Sequence, residues 1–446
     1  MIKSRNVSAI ALLGALSLSG CGDLLDVNNP NNLVEESVQL PAAAEGLVNG
    51  SLRAVSVAAS NVWQGPAVVS DELYWTGSRD AWGQLDQGFI GDPLNEFTDG
   101  AFPSLGQATW MADYAVGVVE GHVGSGDAPA SLLARAKLYR GMINLIVGES
   151  QEDYVFSDKQ ASGTPIGPGN MRGVIESAIA DFTDAMANGD ADVALAAQAM
   201  RARAYMSAAI WDDINPSASG CALDTGAGCA LDFGSAVADA GAVVGEVGVG
   251  SDWMFNVTFS SASTGSGQHG NVNQRGENQW DPSLVENTGP GATARGDVAL
   301  LDPYSSVPDP AVAQALEQYG ADSFSALTMA SERLMHLILA EDALNSGDVA
   351  GFETHINHIR VDIDGMAAYT AGGASPVAGV ADVVVALSHT RRANTLFQGL
   401  RLQDMYRWGL QDAKWQAASQ AVTSPGMMLP ITVVECRANE NVPDCG

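Results

Sequence analysis

The sequence predicts a mostly α-helical protein in which paired helices form a scaffold and an irregular, loop-rich segment forms one face. Three observations lead to this prediction. Apolar residues recur at spacings of three and four in two separate parts of the chain, which is the period of a helix with one buried side. Short polar linkers containing Asn, Gly and Asp divide each part into two helices. Between these parts, residues 215–307 are dense in Gly, Ser, Asn and Asp, a composition typical of irregular structure.

The chain begins with a segment that predicts export. Residues 1–6 carry two bases, residues 7–18 are uncharged and largely apolar, and a Leu-Ser-Gly tripeptide precedes Cys21. A basic start, a short apolar run and small residues before a cleavage point are typical of a secretory signal peptide. The Leu-Ser-Gly-Cys order resembles a bacterial lipobox, which implies removal of residues 1–20 and lipidation of Cys21. An ordinary signal peptide followed by an unrelated Cys is the alternative.

Two helix pairs form the predicted scaffold. The first pair joins a helix with an apolar stripe over residues 171–186 to an Ala-rich helix over residues 191–211. The second pair joins residues 325–344 to residues 349–360. Small side chains on these helices allow two backbones to approach closely. Repeated helix hairpins of this kind favour an array like the tetratricopeptide repeats.

We expect one domain over residues 21–446. Its helical hairpins extend over about residues 104–211 and 325–410, and a variable, loop-rich insert occupies about residues 215–307. One β-like run, residues 253–259, interrupts the insert. The insert is too long to be an ordinary connection, so we expect it to carry functional surface.

The charge balance excludes one class of partner. Lys and Arg total 21 against 52 Asp and Glu, so the formal net charge is −31. Such a surface repels phosphate backbones, and nucleic acid is therefore not an expected ligand.

After residue 18 no apolar run approaches the length that spans a bilayer. Lipid on Cys21 is the expected attachment to a membrane.

The remaining cysteines predict disulfides, because an exported chain meets an oxidising compartment. Four cysteines follow Cys21, and four allow three connectivities. Proximity in sequence favours Cys221–Cys229 and Cys436–Cys445, each of which closes a short loop.

The sequence gives little support for a metal site or for catalysis. His355 and His358 lie three residues apart with Glu353 nearby, but a His-Glu-x-x-His arrangement is absent. Residues 362–365, Asp-Ile-Asp-Gly, are similar to the start of a calcium loop that lacks its closing Glu. No nucleophile elbow, phosphate loop or dinucleotide fingerprint is present. We expect no metal, no cofactor and no catalytic residue, with structural calcium and a secreted hydrolase as alternatives.

Three stretches in the last third of the chain follow an order known from one protein family. The first runs over residues 332–344 and continues in Ile356-Asn357-His358-Ile359-Arg360; the second covers residues 391–409; the third is Leu429-Pro430-Ile431 with Glu435 and Asn439. They resemble the motifs of the SusD/RagB family, surface lipoproteins that cap TonB-dependent transporters. The resemblance implies a SusD-like α/α fold with an irregular ligand face.

The motif residues are interpreted as scaffold rather than as ligand contacts, because buried charges are retained when they are paired. Arg401, Asp404 and Arg407 lie three residues apart on one helix and can pair with each other or with neighbouring helices. Glu341 is the expected partner of Arg401 or Arg392. The motif residues interpreted as scaffold are Glu341, Asn357, Arg360, Arg391, Arg392, Arg401, Asp404 and Arg407.

The resemblance also implies a function and a location. The chain is expected to lie on the outer membrane, anchored by lipid and facing the cell exterior. There it would capture an oligosaccharide or a peptide and pass it to a SusC-like TonB-dependent transporter. Acidic residues just after Cys21 resemble the surface-export signals of some Gram-negative lipoproteins. A purely structural surface scaffold is the remaining alternative.

Sugar binding needs flat aromatic rings beside polar side chains. The expected ring contacts come from two segments, one after residue 61 and one in the insert. Core packing is the alternative for each ring. The candidates are Trp75 and Trp82, with Tyr74, Asp71 and Arg79 close to them in sequence, and Trp253 and Trp280.

Overall fold

Helices account for most of the described chain, as the sequence predicts. A computed structural model describes residues 35–158, 161–218, 220–226, 228–287 and 295–442. The predicted signal segment, the lipidation site Cys21 and the predicted disulfide partner Cys445 lie outside these residues.

The first half of the chain contains the longest helices. They are α1 (Glu35–Val38), α2 (Ala44–Val62), α3 (Gln64–Val69), α4 (Asp80–Asp86), α5 (Glu96–Ser125), α6 (Ala130–Ser150), α7 (Arg172–Asn188), α8 (Ala191–Ile214) and α9 (Ser235–Val247). Short 3₁₀ turns cover Pro41–Ala43 and Pro168–Asn170.

The second half contains shorter helices. They are α10 (Gly267–Gly270), α11 (Pro310–Tyr319), α12 (Glu332–Asn345), α13 (Val349–Asn357), α14 (Asp382–Asn394), α15 (Arg401–Arg407), α16 (Gln420–Thr423) and α17 (Val433–Ala438). Turns of π-helix cover Asn271–Arg275 and His358–Ile363.

In the part of the chain that the structure describes, six short strands form three antiparallel pairs. The strands are β1 (Leu73–Trp75), β2 (Met254–Val257), β3 (Asn278–Trp280), β4 (Val285–Asn287), β5 (Arg295–Val298) and β6 (Leu327–Ser331). The pairs are β1 with β3, β2 with β6, and β4 with β5. Each pair contains at least one strand of the loop-rich segment.

The first predicted helix pair is confirmed as α7 and α8. Asp190 begins α8, since its side chain accepts a hydrogen bond from the Val193 amide at 3.0 Å. Helix α7 also packs on α6 at close range. A Cβ atom at Gly141 of α6 would lie 2.6 Å from the Phe182 ring of α7, and only glycine permits this approach.

The second predicted helix pair is confirmed in part. Helices α12 and α13 form the hairpin, but residues 327–331 are strand β6 rather than helix. The reason is tertiary: Leu327 and Thr328 pair with Val257 and Asn256 of β2. Ser331 then begins α12 by accepting a hydrogen bond from the Leu334 amide at 3.1 Å.

The insert is less irregular than the sequence predicts, because it contains helix α9. Its apolar side, Ala236, Ala240, Val243 and Val244, is buried, and the helix packs between α8 and α12. The predicted β-like run is confirmed as β2.

One apolar core extends through both helical halves and includes Trp63, Ile146, Met200, Leu334 and Met405.

The Cys221–Cys229 disulfide is confirmed, with its Cα atoms 4.7 Å apart. Cys436 is also disulfide-bonded. Among the described residues no helix is both long and apolar enough to cross a bilayer.

Candidate ligand-binding face

Strand pairing builds a polar face from two distant segments. In the register of β1 and β3, Tyr74 lies opposite Gln279 and Trp75 opposite Asn278. The Tyr74 hydroxyl donates to the Gln279 side chain at 3.2 Å and accepts a hydrogen bond from the Asn287 amide. The Glu277 carboxylate holds the adjoining turn by accepting from the amides of Ser78 and Arg79, each at 3.1 Å. We call residues 74–79 and 277–287 the loop face.

Asp71 anchors the loop face to the helices through an ion pair. Its carboxylate accepts from Arg401 at 2.6 and 2.8 Å and lies 3.1 Å from Arg392. Burial by itself would raise the pKa of Asp71, but Arg401 and then Arg392 hold it at about 2. The structure therefore places Asp71, a predicted ligand contact, in an ion pair with Arg401 and Arg392.

Glu72 lies beside this pair with its side chain in the core. Its carboxyl oxygen accepts from the Phe397 amide at 2.7 Å. Burial raises the pKa of Glu72 to about 8, so the neutral acid is the form that fits this site at neutral pH.

The motif residues form a second buried ion-pair network. Arg407 pairs bidentately with Glu341 and donates to Asp404 at 2.8 Å. Arg391 donates to the other Asp404 oxygen at 2.9 Å and lies 3.7 Å from Glu341. The predicted partners of Glu341 were wrong: Arg401 and Arg392 pair with Asp71 instead. We call Glu341, Arg391, Asp404 and Arg407 the charge quartet.

The other motif residues bind the segments before and after the α12–α13 hairpin. Arg360 forms a buried bidentate pair with Asp302, and its guanidinium lies over the Tyr304 ring. The Asn357 amide exchanges two hydrogen bonds with the Tyr369 backbone, at 2.7 and 2.9 Å. None of these side chains reaches the loop face through the contacts described.

A further buried ion pair was missed in the sequence. Arg203 donates to both oxygens of Glu149, at 3.0 and 2.7 Å. It also donates to the carbonyls of Met329 at 2.8 Å and Gln398 at 2.7 Å. An Arg inside the Ala-rich stripe of α8 was the available signal, because such a residue is buried only when it is paired.

The predicted aromatic contacts differ in how deeply their side chains are buried. Trp82 is 3 % exposed and stacks on Phe97 with ring centroids 4.1 Å apart. Trp280 is 2 % exposed and meets Phe397 edge to face at 4.7 Å. Neither ring has a face open to a ligand, so both predictions are corrected to core packing. Trp75 and Trp253 are half-buried.

Arg79 is exposed and pairs with Glu96 at the edge of the loop face. Tyr74, Trp75 and Arg79 therefore remain as surface groups close to one another in sequence, and Trp253 lies next to β2.

The residues predicted as possible metal ligands contact other side chains instead. His358 contacts Asp362 at 2.7 Å, and Asp364 accepts from Arg333 at 2.6 Å. His355 contacts a third histidine, His336, at 3.3 Å. Within the ranges that the structure describes, no group of three or more His, Cys, Asp or Glu side chains is placed to hold a metal ion.

A cleft lies in the helical half, away from the loop face. It has a volume of about 860 Å³ and is lined by residues of α5, α6, α7 and the segment that follows α6. Its aromatic residues are Trp110 and Phe156, neither of which was a candidate in the sequence.

Comparison with solved structures identifies the fold. A SusD homolog from Bacteroides thetaiotaomicron covers 92 % of this chain and 98 % of its own, with a TM-score of 0.61 and 14 % identity. A SusD superfamily protein from Parabacteroides distasonis covers 92 % and 99 %, with a TM-score of 0.59 and 11 % identity. A laminarin binding SusD-like protein covers 88 % and 97 %, with a TM-score of 0.53 and 13 % identity.

The chain therefore has the SusD-like fold over about nine-tenths of its length, as the motif resemblance implied. No family model and no curated protein matches the sequence. At 11–14 % identity the likeness shows the fold, and function has to be argued from the site.

Proposed function

We propose that this chain is a lipid-anchored, outer-surface protein that binds carbohydrate and delivers it to a SusC-like TonB-dependent transporter. The SusD-like fold over about nine-tenths of the chain is the observation that carries the proposal. One protein of this fold is described as binding laminarin. The lipobox-like sequence before Cys21 supports the anchor and the outer-surface location.

The loop face supplies chemistry suited to a sugar. Tyr74 and Trp75 provide half-buried rings, and aromatic rings pack against the apolar face of a pyranose. The exposed side chains of Asn287 and Arg79 supply an amide and a guanidinium group that hydrogen-bond to hydroxyls. Binding and release need no chemical step, so we propose no catalytic residue. A peptide ligand is the second candidate.

Replacing Tyr74 with Ala is expected to weaken oligosaccharide binding about tenfold, because one ring contact is worth roughly 1.4 kcal/mol. The measurement is calorimetric titration of the Cys21→Ser chain with laminarin and with neutral gluco- and manno-hexasaccharides. Tyr205→Ala is the matched control, since Tyr205 is a half-buried tyrosine on α8. Equal binding by the two variants would remove Tyr74 from the site, and binding of peptides alone would favour the second candidate.

The anchor is tested separately by fractionation of cell envelopes. The unaltered chain is expected in the outer membrane, and Cys21→Ser is expected to leave the membrane, because one lipidated residue provides the attachment. Retention of the Cys21→Ser protein in the membrane would contradict the anchor without affecting the carbohydrate proposal.

A further inference from the structure

One lysine lies among four oxygen atoms beside the loop face. The Lys414 ammonium is 3.0 Å from an oxygen of Asp86 and 3.1 Å from an oxygen of Asp281. Asp412 is 3.4 Å away, and the Leu73 carbonyl accepts a hydrogen bond at 3.4 Å. The three carboxylate side chains are only 10–13 % exposed. The group is therefore largely buried, unlike an ordinary surface salt bridge.

The four oxygens come from separate parts of the chain. Asp86 ends α4, and Leu73 begins β1. Asp281 follows β3, and Asp412 lies two residues before Lys414. An ammonium is a compact charge with three donors, whereas a guanidinium presents its donors in one plane. A lysine at this position can therefore hold several segments at once.

The turn that carries Lys414 is itself held in place. The Asp412 carboxylate accepts a hydrogen bond from the backbone amide of Lys414 at 2.8 Å. The buried indole of Trp415 donates to the Val69 carbonyl at 2.7 Å. The ammonium therefore extends from a fixed base, so its contacts restrain the segments that it reaches.

Helix α4 determines where the Trp75 ring lies. A Cβ atom at Gly83 would be 2.8 Å from this ring, so the ring packs directly against the helix backbone. The Trp75 amide also hydrogen-bonds to the carboxylate of Asp86, three residues after Gly83. Because Lys414 holds Asp86, it restrains the surface on which the Trp75 ring rests.

The charges around Lys414 also lie close to the Tyr74 hydroxyl. Burial raises the pKa of this hydroxyl, Asp281 and Asp86 act in the same direction, and Lys414 opposes them. Charged groups shift a pKa in this way only at short range. Burial alone would lower the pKa of Lys414, but its carboxylate neighbours raise it to about 12. The ammonium is therefore charged at neutral pH.

We propose that Lys414 is the positioning residue of the carbohydrate site: its ammonium holds α4, β1 and the segment after β3 in the arrangement that presents the Tyr74 and Trp75 rings to a sugar. The identity of the ligand rests on the proposed function, whereas the positioning rests on the contacts of Lys414. In this role Lys414 acts on the ligand through the two rings.

Lys414→Met removes the charge and leaves three carboxylates facing one another. We expect it to weaken oligosaccharide binding about tenfold, the effect of losing one ring contact. We also expect faster hydrogen exchange of residues 73–76 and 278–281 in the ligand-free chain. Lys137→Met is the matched control, since Lys137 pairs with Asp184 between α6 and α7, and it should change neither quantity. Laminarin and the neutral hexasaccharides are titrated into the Cys21→Ser chain.

Two further variants separate positioning from a general loss of stability. In a Tyr74→Ala background, Lys414→Met is expected to weaken binding by only about threefold, because one of the rings it positions is absent. Asp86→Asn keeps an oxygen for the Trp75 amide and two carboxylates for Lys414, and it is expected to weaken binding about threefold. This milder variant decides the question if Lys414→Met does not fold.

The outcomes distinguish this inference from the proposed function. If Lys414→Met binds and exchanges as Lys137→Met does, the positioning role is overturned and the proposed function stands. An equal loss of affinity with and without the Tyr74 ring would also overturn the positioning role. If the unaltered chain binds none of the probes, the proposed function fails, and the exchange of residues 73–76 and 278–281 alone then decides whether Lys414 holds the strand pair.

Discussion

Replacing Arg203 with Met is expected to lower the free energy of unfolding by about 3–5 kcal/mol, because it leaves the Glu149 carboxylate buried without its counter-charge. Arg203 and Glu149 are 0 % and 2 % exposed. The substitution also leaves the carbonyls of Met329 and Gln398 without the donors that reach them from Arg203. The measurement is urea denaturation at pH 7, with the slope against denaturant checked for constancy.

Two further variants test whether the loss of stability comes from the unpaired carboxylate or from lost packing. Arg135→Met removes an exposed ion pair, since Glu45 is 60 % exposed at its side chain, and is expected to cost at most about 1 kcal/mol. The double variant Glu149→Met/Arg203→Met removes both charges and is expected to recover part of the loss. A double variant no more stable than Arg203→Met would show that lost packing, and not the unpaired carboxylate, sets the penalty.

Arg203 connects the two helical halves through its hydrogen bonds to the Met329 and Gln398 carbonyls. Glu149 lies on α6 and Arg203 on α8, while Met329 belongs to β6 and Gln398 precedes α15. Arg401 of α15 then holds Asp71 beside the loop face. A buried charge in the helical scaffold is thus linked to the proposed binding surface through one short helix.

The parts of the fold that the sequence predicted are those with strong local periodicity. The α7–α8 pair has an apolar stripe on α7 and a polar break before α8, and both signals are local. Helix α9 was missed because Gly241 and Gly245 lower its intrinsic helix propensity. Burial of Val243 and Val244 against other helices offsets that cost, and no local pattern reveals it.

Strand β6 was missed for a related reason. Its apolar run leads directly into α12, and periodicity alone cannot separate a short buried strand from the first turns of a helix. The partner that decides the outcome is β2, whose residues lie 70 to 77 positions earlier in the chain than those they pair with.

For the candidate sites too, the sequence predicts features that depend on neighbouring residues and misses contacts between residues that are far apart in the chain. The sequence indicated that the motif charges are internal, but it could not pair them. Asp71 and Arg401 are separated by 330 positions. The sequence also could not tell a Trp that packs on Phe97 from one that faces solvent. The cleft depends on three helices and a loop, although Arg140 and Asn144 on the mostly apolar helix α6 were a local signal of a polar recess.

Asp404→Asn is expected to lower the free energy of unfolding at pH 7 by about 3–5 kcal/mol, because it leaves the charge quartet with an unbalanced positive charge. Asp404 is 0 % exposed. Its two oxygens accept from Arg391 at 2.9 Å and Arg407 at 2.8 Å. An amide keeps the shape of the carboxylate but can accept only through one oxygen, so one guanidinium loses its partner. Asp212→Asn is the control, since Asp212 is 51 % exposed at its side chain and pairs with Arg172.

The loss of stability caused by Asp404→Asn is expected to become smaller as the pH falls. Burial would raise the pKa of Asp404, but Arg391 and Arg407 hold it below its ordinary value of 3.8. A carboxyl whose folded pKa is lowered contributes stability at pH values above its unfolded pKa and loses it as the pH falls through the folded value. The stability difference between the unaltered chain and Asp404→Asn should therefore be full at pH 7 and shrink below about pH 4. A difference that stayed constant down to pH 2 would contradict this account, because protonation of Asp404 would then make no difference to the stability of the fold.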